Sequence, residues 1–207
     1  MKTRTIVALA VIGIVGAGCA SMKLSDEEAA AKALAALKAS FKDRGQAKVD
    51  RLDQDETQRM CSQYAEKEPP KEVAERVEKA QQALIKYPAD GQYLGDWKEG
   101  ERIAQRGTGM QFNDDPAVPS GANCYACHQL SKAELSFGTI GPPLYNFGKM
   151  RGFTLEVQKY AYGKVYNSAA FNACSNMPRF GQKHILTEKQ IKDVVALLMD
   201  PESPVNK

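Results

Sequence analysis

Apolar positions between residues 25 and 90 recur at helical spacing three times. Ser25 and Glu28 form a capping box, after which Ala30, Leu34, Leu37 and Phe41 line one face of a helix that runs until Gly45. Val49, Leu52, Met60 and Tyr64 suit a second, more polar segment, closed by Pro69-Pro70, whose rings block continuation. Val73, Val77, Ala80, Leu84 and Tyr87 predict a third helix over 71–86, with Pro88 at its end. Stripes this narrow must lie on something else, either the rest of the chain or another chain.

Beyond residue 90 the pattern changes. Asp96 is placed to cap a helix over about 97–106 that carries Trp97, Ile103 and Ala104. Residues 108–123 are rich in Gly, Asn, Asp and Pro and read as a loop. No element is assigned between Leu144 and Met177. Thr187 and Gln190 then form a second capping box for a helix with Ile191, Val194, Val195 and Leu198 on its buried face, stopped by Asp200-Pro201 and expected to cross the Trp97 helix. The fold class is therefore all-α, with an N-terminal helical extension over 21–90 and a second domain over 91–207.

Residues 1–20 read as an export signal: Lys2 and Arg4, an apolar run from Ile6 to Val15, then Gly16, Ala17 and Gly18. That run is shorter than the roughly 20 apolar residues a spanning helix needs. Two processing routes fit, one that leaves a lipid anchor on Cys19 and one that cuts after Ala20; both place the chain in the periplasm. The net charge is only +3, and neither half concentrates basic residues, so nucleic acid is not an expected partner.

Export gives the cysteines their meaning. Cys124-Tyr125-Ala126-Cys127-His128 is a C-x-x-C-H run. Two thiols three positions apart can add to the two vinyl groups of one haem, and the adjacent histidine can meet the iron as its proximal ligand. A zinc site would need a second pair of soft ligands, and the chain has no second C-x-x-C and only one other histidine, His184. The expected cofactor is one covalent haem c, which makes residues 91–207 a class I cytochrome c-like domain.

A proximal imidazole normally donates its other N–H to an acceptor, and the turn-rich Gly138–Leu144 segment nominates the Pro142 carbonyl. For the sixth iron position the candidates are a methionine, His184, a lysine or an open site. Met177 is favoured, because Pro178 disfavours helix there and the loop can present a thioether. Met110, Met150 and Met199 are expected to pack in the core. Of five cysteines, setting aside Cys19 and the haem pair leaves Cys61 and Cys174, an even remainder that predicts a disulfide, the alternative being two buried thiols.

One family carries many of these features in the same order. The haem motif, Gly138 to Leu144, Arg151-Gly152, Tyr160 to Gly163, Met177 to Gly181 and the run Asp200-Pro201-Glu202-Ser203-Pro204-Val205-Asn206 together resemble SoxX, the monohaem cytochrome subunit of the SoxAX complex of thiosulfate oxidation. The resemblance covers roughly 95–207; the extension and the long loop before Cys124 depart from it. It implies thioether bonds at Cys124 and Cys127, His128 and Met177 as axial ligands, and SoxA as partner in a heterodimer. Together those two subunits would act as an L-cysteine S-thiosulfotransferase on the carrier SoxYZ. It places the catalytic cysteine on SoxA, with no catalytic residue in this chain, and a soluble cytochrome c as electron acceptor. A free-standing electron-carrier cytochrome, or an assembly protein with a structural haem, are the alternatives.

Overall fold

The computed structural model describes residues 24–207; the expected export signal and Cys19 lie outside them. Among the described residues seven α-helices follow in order: α1 (Asp26–Ser40), α2 (Glu56–Gln63), α3 (Lys71–Gln82), α4 (Trp97–Gln105), α5 (Phe147–Arg151), α6 (Leu155–Tyr166) and α7 (Glu188–Met199). Short 3-10 turns occur at Val49–Leu52, Cys124–Ala126, Ser168–Ala170 and Pro204–Asn206, and no strand forms among the described residues. The chain divides into two compact units, one ending at Lys42 and one running from Asp43 to Lys207.

The first unit contains α1. Its capping box forms as its residues dictate: the Ser25 hydroxyl accepts from the Glu28 N–H at 3.2 Å, and the Glu28 carboxylate accepts from the Ser25 N–H at 3.0 Å. The helix stops at Ser40, short of Gly45, and the Ser40 hydroxyl donates back to the Ala36 carbonyl while Phe41 turns extended.

The second unit is organised by the packing of α4 on α7. Asp96 caps α4 by accepting from the Lys98 N–H, and Thr187 with Gln190 makes the reciprocal cap of α7. The two helices meet at Gly100, where a Cβ would collide with the Asp193 backbone carbonyl of α7. Buried Asp193 joins the same contact: one carboxylate oxygen accepts from the Asp96 N–H at 2.9 Å and the other pairs with Lys189 at 2.8 Å. Ile191, Val194, Val195 and Leu198 are all buried, and each such side chain removed from water contributes about 1.5–3 kcal/mol.

The C-terminal run after α7 satisfies backbone groups that two helix ends leave open. The Asn206 amide donates to the carbonyls of Leu198 and Asp200, and its side-chain oxygen accepts from the N–H groups of Gly148 and Lys149 at the start of α5. The Ser203 hydroxyl donates to the Leu197 carbonyl. Both residues are fully buried, so this run acts as a clasp between α7 and α5.

Helix α6 carried no prediction. Thr154 caps it by accepting from the Val157 N–H, and Ala161, Tyr162, Gly163, Val165 and Tyr166 are all buried. Burial on nearly every side of its second half removes the one-sided stripe that marks a helix in sequence. Tyr162 stacks among Tyr87, Tyr93 and Tyr166, with ring centroids 5.6–6.0 Å away.

Residues 43–90 fold differently from the expectation in two places. The single segment expected over 49–64 splits into the Val49–Leu52 turn and α2, because Asp55 and Gln58 form a capping box of their own, each accepting from the other's N–H at 2.9 Å. Helix α3 ends at Gln82 instead of 86, and its inner face buries Val77 and Gln81, while Ala80 and Leu84 are exposed. A polar residue tolerates that burial because its hydrogen bonds are made: Gln81 donates to the Thr57 hydroxyl, and its two oxygens accept from the Asn167 amide. The 108–123 loop closes at its neck through Asn123 to Arg106 and Gly121 to Thr108 hydrogen bonds. Farther along the loop, the Arg44 guanidinium sits 3.9 Å over the Phe112 ring.

Asp55 does more than cap α2. Its carboxylate pairs with Arg179 at 2.6 Å and Lys183 at 2.8 Å. Burial works against its ionisation, but Lys183, the Gln58 N–H and Arg179 outweigh burial and hold the carboxyl down at about 2, below the ordinary 3.8. A depressed folded-state value stabilises the fold fully above pH 4, approximately, and this contribution is lost as the pH falls through about 2. With about a third of the side chain open to solvent, it amounts to on the order of 1 kcal/mol. Asp55→Asn should therefore lower the unfolding free energy by about 1 kcal/mol at neutral pH, with the deficit shrinking between about pH 4 and 2. Urea melts across that range check it; a deficit that does not change with pH would exclude the ion pairs as its source.

Candidate functional site

The site is built on one turn. Asn123 adopts the left-handed conformation that asparagine tolerates better than most residues, with φ of 47°, and so starts the 3-10 turn Cys124–Ala126. The N–H groups of Cys127 and His128 both donate to the Cys124 carbonyl, at 3.1 and 2.9 Å, which winds the two thiols and the imidazole around a single turn. Tyr125 anchors it by packing into the core, while Ala126 is exposed. Burial, with Glu101 and Glu134 nearby, pushes the Tyr125 hydroxyl up to about 12. Burial likewise pushes the free Cys124 thiol up to about 12.

The Gly138–Leu144 segment lies along this turn in register. The N–H groups of Gly138, Gly141 and Leu144 donate to the carbonyls of Tyr125, Cys127 and Gln129, at 2.8, 2.8 and 2.7 Å. Glycine is needed twice. A Cβ on Gly138 would strike the Ala126 carbonyl, and one on Gly141 would run into the His128 ring. This close approach sets the Pro142 carbonyl 2.7 Å from His128 Nδ1. A carbonyl can only accept, so Nδ1 carries the proton and Nε2 keeps its lone pair.

Met177 lies in the loop between α6 and α7. It is half-buried and packs against the core cluster that Cys124 and Leu144 also touch. The Ser168 hydroxyl donates to its carbonyl, and the Met177 N–H donates to the Ser175 hydroxyl. Cys174 and Cys61 are joined in a disulfide with their Cα atoms 5.5 Å apart. His184 is exposed in a left-handed turn. Of the other methionines, Met199 is buried in the core, Met110 is half-buried, and Met150, expected in the core, is 76% exposed on α5 because the short helix turns Phe147 and Gly148 inward instead.

Residues 116–200 match the cytochrome c family. This chain carries a cytochrome c domain. The all-α architecture agrees with the class I cytochrome c-like fold. Over 156 residues the chain is 37% identical to an uncharacterized lipoprotein of Aquifex aeolicus (strain VF5), covering 74% of this chain and 73% of that protein. The two belong to one family.

Covalently bound haem c is what a cytochrome c domain implies, and the residues present suit it. Cys124 and Cys127 are free while the remaining described pair is bridged. His128 has Nδ1 occupied by Pro142, leaving Nε2 for a metal. Cys124 and Cys127 would hold the porphyrin through thioethers, and His128 and Met177 are the candidates to hold its iron. Sequence reasoning missed the partners of the Met177 loop, chiefly Ser168 and Asp55, and the Asp55-x-x-Gln58 capping pattern was the one local signal of them.

Gly141→Ala should displace the His128 ring and break its bond to Pro142. The expected outcome is a cytochrome with lowered haem incorporation and, in the fraction that matures, a lost downfield His Nδ1–H resonance in proton NMR. A normal resonance and full incorporation would show that the close approach does not orient the histidine.

Proposed function

We propose that this cytochrome is the electron-relay subunit of a SoxAX-type L-cysteine S-thiosulfotransferase, passing on electrons released when thiosulfate is oxidatively coupled to a cysteine of SoxYZ. The observation that carries the relay role is the commitment of the thiols. Among the described residues Cys61 and Cys174 are bridged, and Cys124 and Cys127 belong to the haem turn. No described thiol is left to take up sulfur, so bond making falls to the partner, SoxA. Bound haem supplies one-electron chemistry, and a His/Met ligand pair raises its potential, which suits accepting electrons from the partner and passing them to a soluble cytochrome c.

The C-terminal clasp supports the kinship with SoxX. Asp200 to Asn206 is the most distinctive run shared with that family, and here three of its polar side chains satisfy backbone groups: Asp200 accepts from the Glu202 N–H, Ser203 reaches Leu197, and Asn206 bridges α7 to α5. The lipoprotein relative favours Cys19 as the lipid-bearing residue, which would hold the cytochrome at the periplasmic face of a membrane. No helix among the described residues is long and apolar enough to cross one.

The test is purification of the tagged chain from its native periplasm, followed by thiosulfate-dependent conjugation to SoxYZ. A copurifying haem partner and conjugation that stops when this subunit is withheld are expected. A chain that purifies alone, exchanges electrons with soluble cytochromes and leaves conjugation unaffected would make it a free-standing carrier instead.

A further inference from the structure

Residues 43–82 depart from the resemblance to SoxX; residues 44–51 meet the 108–123 loop, whereas the hydrogen bonds and ion pairs that residues 55–82 make with the cytochrome domain fall on one stretch, 167–183. The Gln81 oxygens take the Asn167 amide, the Gln82 amide donates to the Ala170 carbonyl at 2.9 Å, and the Glu78 carboxylate accepts from the Ala173 N–H at 3.2 Å. Beyond these, α2 closes over the loop itself. Cys61 is covalently joined to Cys174, three residues before Met177, and Asp55 pairs with Arg179, two residues after it, and with Lys183. The Arg179 side chain is only 10% exposed, so its carboxylate partner is not readily replaced by water.

These two ties belong to one rigid body. Asp55 is the N-cap of α2 and Cys61 lies in its last turns, six residues on, so their attachment points are separated by a fixed rise of about 9 Å. Between them the loop from Ser175 to Pro178 has few residues left to rearrange. An untethered loop recovers backbone entropy for each residue it frees, which favours release of a weakly held ligand. Tethering both ends to one helix withholds that freedom.

We propose that α2 is a splint for the Met177 loop, with Asp55 and Cys61 as its positioning residues, and that it sets how often the methionine side of the haem opens. The proposal rests on Met177 as the sixth ligand. It assigns residues 55–61 a role in the electron-transfer site without contact to the haem: they hold the ligand in one place in both redox states, which keeps small the rearrangement that accompanies each electron.

The test uses the full-length, haem-loaded ferric protein and imidazole, which can occupy the sixth position only after the methionine has left. The ligand reading is checked first: wild type must show the sulfur-to-iron charge-transfer band at the red end of the spectrum, and Met177→Ala must lose it. A missing band, or one that survives the substitution, overturns the ligand assignment and the splint with it. With the band in place, Asp55→Asn should raise the stopped-flow rate of imidazole entry about tenfold, the factor for loss of a charge-assisted hydrogen bond from the closed state alone. Asp55→Glu should restore most of the wild-type rate, and cutting the bridge in a Cys61→Ser, Cys174→Ser protein should raise the rate further. Val205→Ala removes buried methyl groups from the C-terminal clasp and should lower the denaturation midpoint with no change in imidazole entry. The splint is overturned if Asp55→Asn and the bridge variant admit imidazole at the wild-type rate, or if Val205→Ala raises the rate as much as Asp55→Asn does.

Discussion

The structure of the site depends on how closely two backbones approach each other beside His128. Gly138, Gly141 and Leu144 can give their N–H groups to Tyr125, Cys127 and Gln129 only because two of the three donors lack a Cβ. That ladder carries the Pro142 carbonyl to Nδ1 and so decides the tautomer and orientation of the ring. The thiol turn and its covering segment form one unit, in which the covering segment orients the histidine that the turn supplies. A second-sphere acceptor of this kind also raises the basicity of the ligand it orients.

The helices form the frame around this unit. Gly100 lets α4 lie against the backbone of α7, and buried Asp193 joins the start of α4 to the same place. The Asn206 clasp then ties the end of α7 to the start of α5. Each joint satisfies backbone groups that would otherwise be buried without partners, which costs about 1–3 kcal/mol apiece. Polar residues are therefore as much a part of this core as Ile191 or Val195. The Met177 loop is held differently, by contacts from residues far away in the chain: the bridge at Cys174 and the ion pairs of Asp55 join it to α2. Its fixation draws on residues on both sides of the haem motif.

Much of this was legible from residues alone, and for a common reason. The haem turn, the capping boxes at Ser25 and Thr187, the Asp96 cap and the stripe of α7 are local patterns, in which the residues that interact lie within four positions of one another. The Cys61–Cys174 pairing spans 113 positions, yet it could be reached by counting, because export and the haem motif left two cysteines over. The Pro142 acceptor was reachable because the covering segment is close in sequence to His128.

What only the tertiary structure decided are the features whose cause lies across the fold. Helix α6 has no apolar stripe to read, since its second half is buried on nearly every side, with Tyr87 and Tyr93 packed on Tyr162, and this removes the contrast between faces. The inner face of α3 could not be predicted from hydrophobicity, because Gln81 is buried through the Asn167 amide that meets it from α6's far end. Asp55 reads locally as a cap and nothing more; its pairing with Arg179 and Lys183 depends on α2 and the Met177 loop being brought together. The sequence by itself determined the chemistry of the haem turn, since that chemistry needs only neighbours, and the tertiary structure decided how the Met177 loop is held, since that depends on surfaces that meet only when the chain is folded.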